Sequence, residues 1–222
     1  MLCLKVPTDG AWALGALREV DSVLVDHAHC EMKAASNALS LATRHLADVE
    51  LVRAMTDLAR EEIEHFQQVL SVLVERGVAL GPPPVDPYAA ELRRRTSDLG
   101  SSKAHAAQGR AVRHRGSQEA LALVDRLLVA ALIEARSCER FKLLAEAAAA
   151  RPEHALLHSL WADLLAAEAR HYCTFVDLAE RVAGGDRAAV LARLDALADI
   201  EGALVRELAR RDGGSSRATI HG

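Results

Sequence analysis

Two short stretches of this 222-residue chain carry the same pair of reactive side chains. Residues 60–66 read REEIEHF and residues 168–172 read EARHY, so Glu62 pairs with His65 and Glu168 with His171 as Glu-x-x-His. Three residues apart on a helix, a carboxylate and an imidazole share one face and can grip one cation. Both pairs stand where a helix needs apolar residues. Leu51, Met55, Leu58, Glu62, His65, Val69 and Val72 recur at spacings alternating between 4 and 3, as do Leu157, Trp161, Leu164, Glu168, His171, Phe175, Leu178 and Val182. That is the seam of a helix packed on other helices. Burying such groups without partners is costly, so something in the core must compensate them.

Two further seams supply it. Val20, Leu24, His27, Glu31, Ala34, Ala38 and Leu41 form one, and Leu123, Leu127, Ala130, Glu134, Ser137, Phe141 and Leu144 the other, each with one inward glutamate. One Glu from each of two helices and Glu-x-x-His from each of two others is how helical bundles hold two carboxylate-bridged metal ions. Depth supports the set, because residues level across a hairpin are equidistant from its turn. Glu31 and Glu62 have their midpoint at 46.5, and Glu134 and Glu168 at 151, both inside predicted turns. Glu139, the competing carboxylate in IEARSCER, would sit about 7 Å off level and about 140° around the helix. The predicted ligands are therefore Glu31, Glu62, His65, Glu134, Glu168 and His171.

Four carboxylates neutralise two divalent cations, and oxygen with imidazole nitrogen suits iron or manganese, iron being the better match. His27, one turn before Glu31, together with Glu61, Arg136 and Arg170, are candidate outer partners of the ligands, although exposed positions are the commoner fate of helix arginines. Glu201 falls on a later apolar stripe and is expected to be partly solvated. Cys3, Cys30, Cys138 and Cys173 form no CxxC unit; Cys30 and Cys138 read as packed thiols.

The elements that must position these residues are helical. Hydrophobic residues make up 50% of the chain and aromatics 3%, with no sustained strand alternation. Helices are expected over about 16–44 and 48–76, ended by Gly77, then about 117–150 and up to about 183 after ARPEH, with a fifth over 187–210. GVALGPPPVDPY and a polar, basic stretch to 116 make a long crossover with a short helix near 88–95, and the tail 211–222 reads as flexible. The fold class is thus all-α: a single domain, 1–222, with a ferritin-like four-helix bundle of two antiparallel hairpins joined by a crossover, plus a fifth C-terminal helix. A net charge of −4 argues against a wholly nucleic-acid-coated surface. No secretory signal or membrane-length apolar run is expected, so the reading is a cytoplasmic protein without a membrane partner.

Ligands alone do not choose among oxygenase, ferroxidase and peroxide reductase. Storage ferritins are shorter, and the CxxC pairs of a rubredoxin module are missing; small seam residues Ala34, Ala38 and Ala130 permit an apolar cavity beside the metals. A metal-free helical interaction protein stays as the bland alternative, and a di-iron oxidase or ferroxidase on another substrate as the nearer one. Here the residues themselves decide. LVDHAHCEMKAA, EEIEHFQQVL, LIEARSCERFKLLA and EARHY closely resemble the tRNA hydroxylase family that acts on 2-methylthio-N6-isopentenyladenosine next to the anticodon. The resemblance implies a non-haem di-iron monooxygenase that hydroxylates the isopentenyl side chain with O2 and two electrons. By position it carries the family's metal ligands onto the same six residues, with Glu62 and Glu168 bridging. It also implies a tRNA anticodon-loop substrate and, since no flavin, nicotinamide or iron–sulfur motif is present, an external reductase or ferredoxin as electron donor. The crossover supplies the candidate RNA contacts Arg93, Arg94, Arg95, Lys103, Arg110, Arg113 and Arg115, against only Asp98. The crossover and the terminal RATIHG match the family loosely.

Overall fold

A computed structural model describes residues 2–83, 87–101, 115–211 and 219–220, with the side chains of 98–101, 115–117 and 211 outside the description. Its helices are α1 (Gly10–Arg18), α2 (Val20–Arg44), α3 (Val49–Glu75), α4 (Tyr88–Ser101), α5 (Arg115–Ala149), α6 (Ala155–Val182) and α7 (Arg187–Arg211), with a 3-10 turn at Pro152–His154 before α6.

Local chemistry sets the ends. The Asp9 carboxylate accepts from Ala11 N–H and that of Asp48 from Leu51 N–H, capping α1 and α3. Gly77, at φ 69°, ends α3 in the left-handed conformation, and Val78 N–H returns to the Leu73 carbonyl. Asp186 caps α7 through Ala189 N–H.

α2 pairs with α3 and α5 with α6, and α3 meets α6 across the bundle. The arrangement is all-α and ferritin-like, as expected. Two expectations are corrected. The first predicted helix is broken at Glu19 (φ −115°, ψ 34°) although no Gly or Pro marks the spot; α1 leaves the α2 axis to bury Ala13, Ala16 and Leu17 and to pack on α5. The crossover helix runs fourteen residues, past the predicted 88–95, because α7 covers it.

The apolar core comes in two pieces. Leu41, Leu51, Met55, Leu127, Phe175 and Leu178 belong to one. Leu24, Val69, Leu73, Phe141, Leu144 and Trp161 belong to the other. Each of α2, α3, α5 and α6 contributes to both, and its Glu or Glu-x-x-His falls between them. A polar layer therefore crosses the middle of the bundle. α2 and α5 differ from the paired helices: no Cα atoms of theirs approach within 8 Å among the described residues.

Candidate metal centre and its cavity

The six predicted ligands are all buried in that layer. Their donor atoms form two groups, Glu31, Glu62, His65 and Glu168, and Glu62, Glu134, Glu168 and His171, the atoms of each lying within 4.8 Å of one another. Glu62 and Glu168 belong to both. His65 Nδ1 lies 3.3 Å from Glu62 Oε2 and 3.7 Å from Glu31 Oε2. The rings of His65 and His171 are 5.7 Å apart.

Outside the layer, His27 Nε2 meets Glu31 Oε1 at 2.7 Å. Glu61 Oε2 lies 3.3 Å from His171 Nε2 and accepts from Arg170 at 3.5 Å. Arg136 is elsewhere: fully buried, it donates to Glu201 at 2.7 Å, to the Val6 carbonyl at 3.0 Å and to Glu139. Tyr88 hydroxyl also donates to Glu201, at 2.9 Å. So Glu201, expected to be partly solvated, is fully buried, and Glu139, set aside as a ligand by its level and helical phase, holds Thr8 N–H and hydroxyl as well as Arg136. Both carboxylates fasten the N-terminal segment to α5 and α7.

Electrostatics show what the layer needs. Burial raises a carboxyl, but hydrogen bonds from His27 and His65 prevail at Glu31 and hold it far below the usual range. Burial pushes Glu62 up against its histidines, and carries Glu134 and Glu168 well above their ordinary values, with the Glu134 charge adding to the effect at Glu168. Burial would lower His65, yet Glu31 and Glu62 outweigh it and raise it to about 10; Glu62 likewise raises His171. Loss of water around the carboxylates drives the upward shifts of Glu62, Glu134 and Glu168, neighbouring carboxylates add to it, and divalent cations relieve both. One contact tests that fit directly. His171 Nδ1 stands 2.9 Å from Glu62 Oε1, yet both atoms are buried and without a hydrogen-bond partner. Two lone pairs converging on one point suit a shared cation, and oxygen-rich donor groups of three carboxylates and one imidazole suit iron.

A cavity of about 100 Å³ occupies the gap between α2 and α5. Glu31, Glu62, Glu134 and Glu168 face it, and Ala34, Ala130, Ile133, Phe141 and Phe175 give it an apolar surface. Ala38 packs instead into the first core piece. Exposed Lys33 and Arg93 mark its opening.

Of the basic residues expected to meet RNA, Arg94 is held by Glu91 at 2.7 Å, and Arg95 by Glu91 and Glu207 at 2.9 and 2.7 Å. Lys103, Arg110 and Arg113 lie outside the described residues, as does the Arg115 side chain. Three residues missed by sequence reasoning, Lys33, Arg44 and Arg126, join Arg93. Burial, then the charges of Arg44 and Arg93, lower Arg126. By helical phase Arg44 shares a stripe with Lys33 on α2, and Arg126 shares one with Ala130 and Ile133 on α5. None of Lys33, Arg44, Arg93 and Arg126 has an ion pair among the described residues. Only Arg93 had a sequence signal, its basic run.

Comparison with known proteins agrees with this chemistry. The family model described as tRNA-(MS[2]IO[6]A)-hydroxylase (MiaE) matches residues 1–212. The tRNA 2-(methylsulfanyl)-N(6)-isopentenyladenosine(37) hydroxylase of Pseudomonas putida is 40% identical over 188 residues, covering 83% of this chain and 78% of its own. The protein of that name from Salmonella typhimurium is 27% identical over 251 residues, covering 91% and 83%. Among solved structures, protein 43 with aldehyde deformylating oxygenase activity from Synechococcus superposes with a TM-score of 0.73 at 38% identity, covering 90% of this chain and 88% of that one.

Proposed function

This chain belongs to the MiaE family, and from that membership we propose that it is an O2-dependent di-iron monooxygenase hydroxylating the isopentenyl side chain of 2-methylthio-N6-isopentenyladenosine in tRNA. The observation that carries the reading is the pair of four-donor groups sharing Glu62 and Glu168 beside an apolar cavity. Glu31 and His65 would hold one iron, Glu134 and His171 the other, with Glu62 and Glu168 bridging. When bound, the irons supply the redox chemistry by which one atom of O2 enters a C–H bond and the other leaves as water, with two electrons and two protons.

The chain's own residues do the rest. His27 fixes one oxygen of Glu31, and Glu61 fixes Nε2 of His171, which leaves Nδ1 for metal. Ala34, Ala130, Phe141 and Phe175 exclude water and receive the alkyl group. A cavity of about 150 Å³ accepts benzene, so the 100 Å³ here suits a five-carbon branched chain rather than a purine. The modified base must leave its stack to deliver that chain, which a single-stranded anticodon loop permits. Lys33, Arg93, Arg44 and Arg126, unpaired and running out from the cavity, are the proposed phosphate contacts. A separate reductase or ferredoxin supplies the electrons, and a tRNA substrate places the enzyme in the cytoplasm. No helix among the described residues is long and apolar enough to cross a membrane.

Mass spectrometry of tRNA nucleosides from cells with and without the gene tests the assignment. Loss of the hydroxylated isopentenyl nucleoside is expected; an unchanged level overturns the substrate and leaves a di-iron oxidase or ferroxidase on another substrate.

A further inference from the structure

The tail read from sequence as flexible contains two residues that are fully or nearly fully buried, Thr219 and Ile220. Ile220 belongs to the core piece of Leu24, Phe141 and Trp161, and it is also a wall of the cavity between α2 and α5. Its position is held through the main chain. Ile220 N–H donates to the Asp26 carboxylate at 2.7 Å, and the Arg140 guanidinium donates to the Thr219 carbonyl at 2.6 Å, both bonds buried. Arg140 also lies over the Trp12 ring at 4.8 Å.

Asp26 and Arg140 are buried charges on the two helices whose backbones stay apart. Asp26 precedes Glu31 by five residues and Arg140 follows Glu134 by six. Glu31 and Glu134 face the cavity from α2 and α5, and Lys33 and Arg93 stand at its opening beside α4. Because the N-terminal part of α2 and the C-terminal part of α5 share one core piece while their other ends share the second, Asp26 and Arg140 fall beyond the polar layer on the side away from Arg44 and Arg126. An alkyl chain entering at Lys33 and Arg93 therefore points past the carboxylates toward Ile220.

We propose that Ile220 is a specificity-determining residue, the end stop for the alkyl group on N6 of the adenosine, and that Asp26 and Arg140 are positioning residues that set it. The inference rests on the hydroxylase reading above and adds how the enzyme measures its substrate. Charge-assisted bonds to main-chain atoms are strong and indifferent to the side chain they carry, so the residue at 220 can change size while the segment stays docked. Ile220 offers the substrate only hydrocarbon, so discrimination is by length and branching, each extra or missing methylene being worth about 10- to 200-fold.

The test compares wild type, Ile220→Ala and Ile220→Trp, iron-loaded, on anticodon stem-loop RNA whose adenosine carries either the isopentenyl group or an alkyl group two carbons longer. Ile220→Ala should raise the ratio of kcat/KM for the longer group over the isopentenyl group about tenfold. Ile220→Trp should lower kcat/KM for isopentenyl by a similar factor, with RNA affinity and iron content as in wild type. Asp26→Ala should broaden selectivity as Ile220→Ala does, and Asp26→Asn, which keeps an acceptor oxygen, should restore it. Calorimetric binding of the two alkyladenosine RNAs to metal-free protein reads the same preference without turnover. Wild type that hydroxylates isopentenyladenosine while both Ile220 variants keep its length preference overturns the inference alone. Wild type inert toward isopentenyladenosine overturns the proposed function, and the binding preference then decides the role of Ile220 by itself.

Discussion

His171 Nδ1 and Glu62 Oε1 lie 2.9 Å apart, buried, without a hydrogen bond between them or to any other group. Glu62 also stands in both four-donor groups, whereas Glu134 stands in one.

Loss of the shared carboxylate should therefore cost more metal than loss of a terminal one. Glu62→Ala is expected to reduce anaerobically titrated iron from two ions toward none, and Glu134→Ala to leave close to one. Equal losses in the two variants would contradict the sharing.

The metal-free protein should lose stability as pH rises. Glu134 and Glu168, ordinarily near 4.5, are pushed well above that value, so the folded state binds protons that the unfolded chain releases. His65 adds stability that is complete below 6.5 and lost as pH rises through about 10. Glu31 has the opposite sign, but its effect falls below 4.5. The two carboxyls act above about pH 4.5 and His65 between about 6.5 and about 10, all in the same direction. Calorimetry of chelated protein should show Tm falling across that range, and iron should flatten the curve. A rising Tm would refute the electrostatic account of the layer.

Breaking the buried Arg136 network should destabilise the fold without touching the proposed metal centre. Glu201→Ala leaves a buried guanidinium short of its main partner, which costs about 3–5 kcal/mol. Glu139→Ala leaves Thr8 N–H unpaired as well as weakening Arg136, and about 1–3 kcal/mol is expected. Urea denaturation gives both values. Iron stoichiometry in folded protein should stay at two; metal loss in Glu139→Ala would mean that the carboxylate reaches the site.

The RNA face should respond to the unpaired arginines and not to the paired one. Arg44→Glu or Arg126→Glu should weaken tRNA binding and reduce the salt slope by about one each. Arg94→Glu, whose guanidinium is already engaged by Glu91, should change the slope little. A larger effect from Arg94 would move the interface along α4.

The buried polar layer was legible because Glu62, His65, Glu31, Glu134, Glu168 and His171 each interrupt a regular apolar period, and because hairpin connectivity alone fixes which of them lie level. What escaped depends on contacts between distant segments. Arg136 and Glu201 are 65 residues apart; Glu201 falls on an apolar stripe but Arg136 stands off the α5 seam, so helical phase does not bring them together. Ile220 follows a run of Gly and Ser with no period to read; only Asp26 and Arg140 reveal where it docks. Arg44 and Arg126 look like ordinary helix charges until three helices bring them beside Arg93. The break at Glu19 has no local signature, since it arises from the packing of α1 on α5.

The polar layer also cuts the hydrophobic core in two, and that division bears on cooperativity. Each apolar piece is built from parts of the same four helices, so neither is a separate domain, yet little but charge spans the plane between them. Iron bound there would act as a keystone, turning two loosely coupled hydrophobic bodies into one unit that melts in a single step. On the proposed reading, metal acquisition would complete the packing of the bundle as well as open its chemistry.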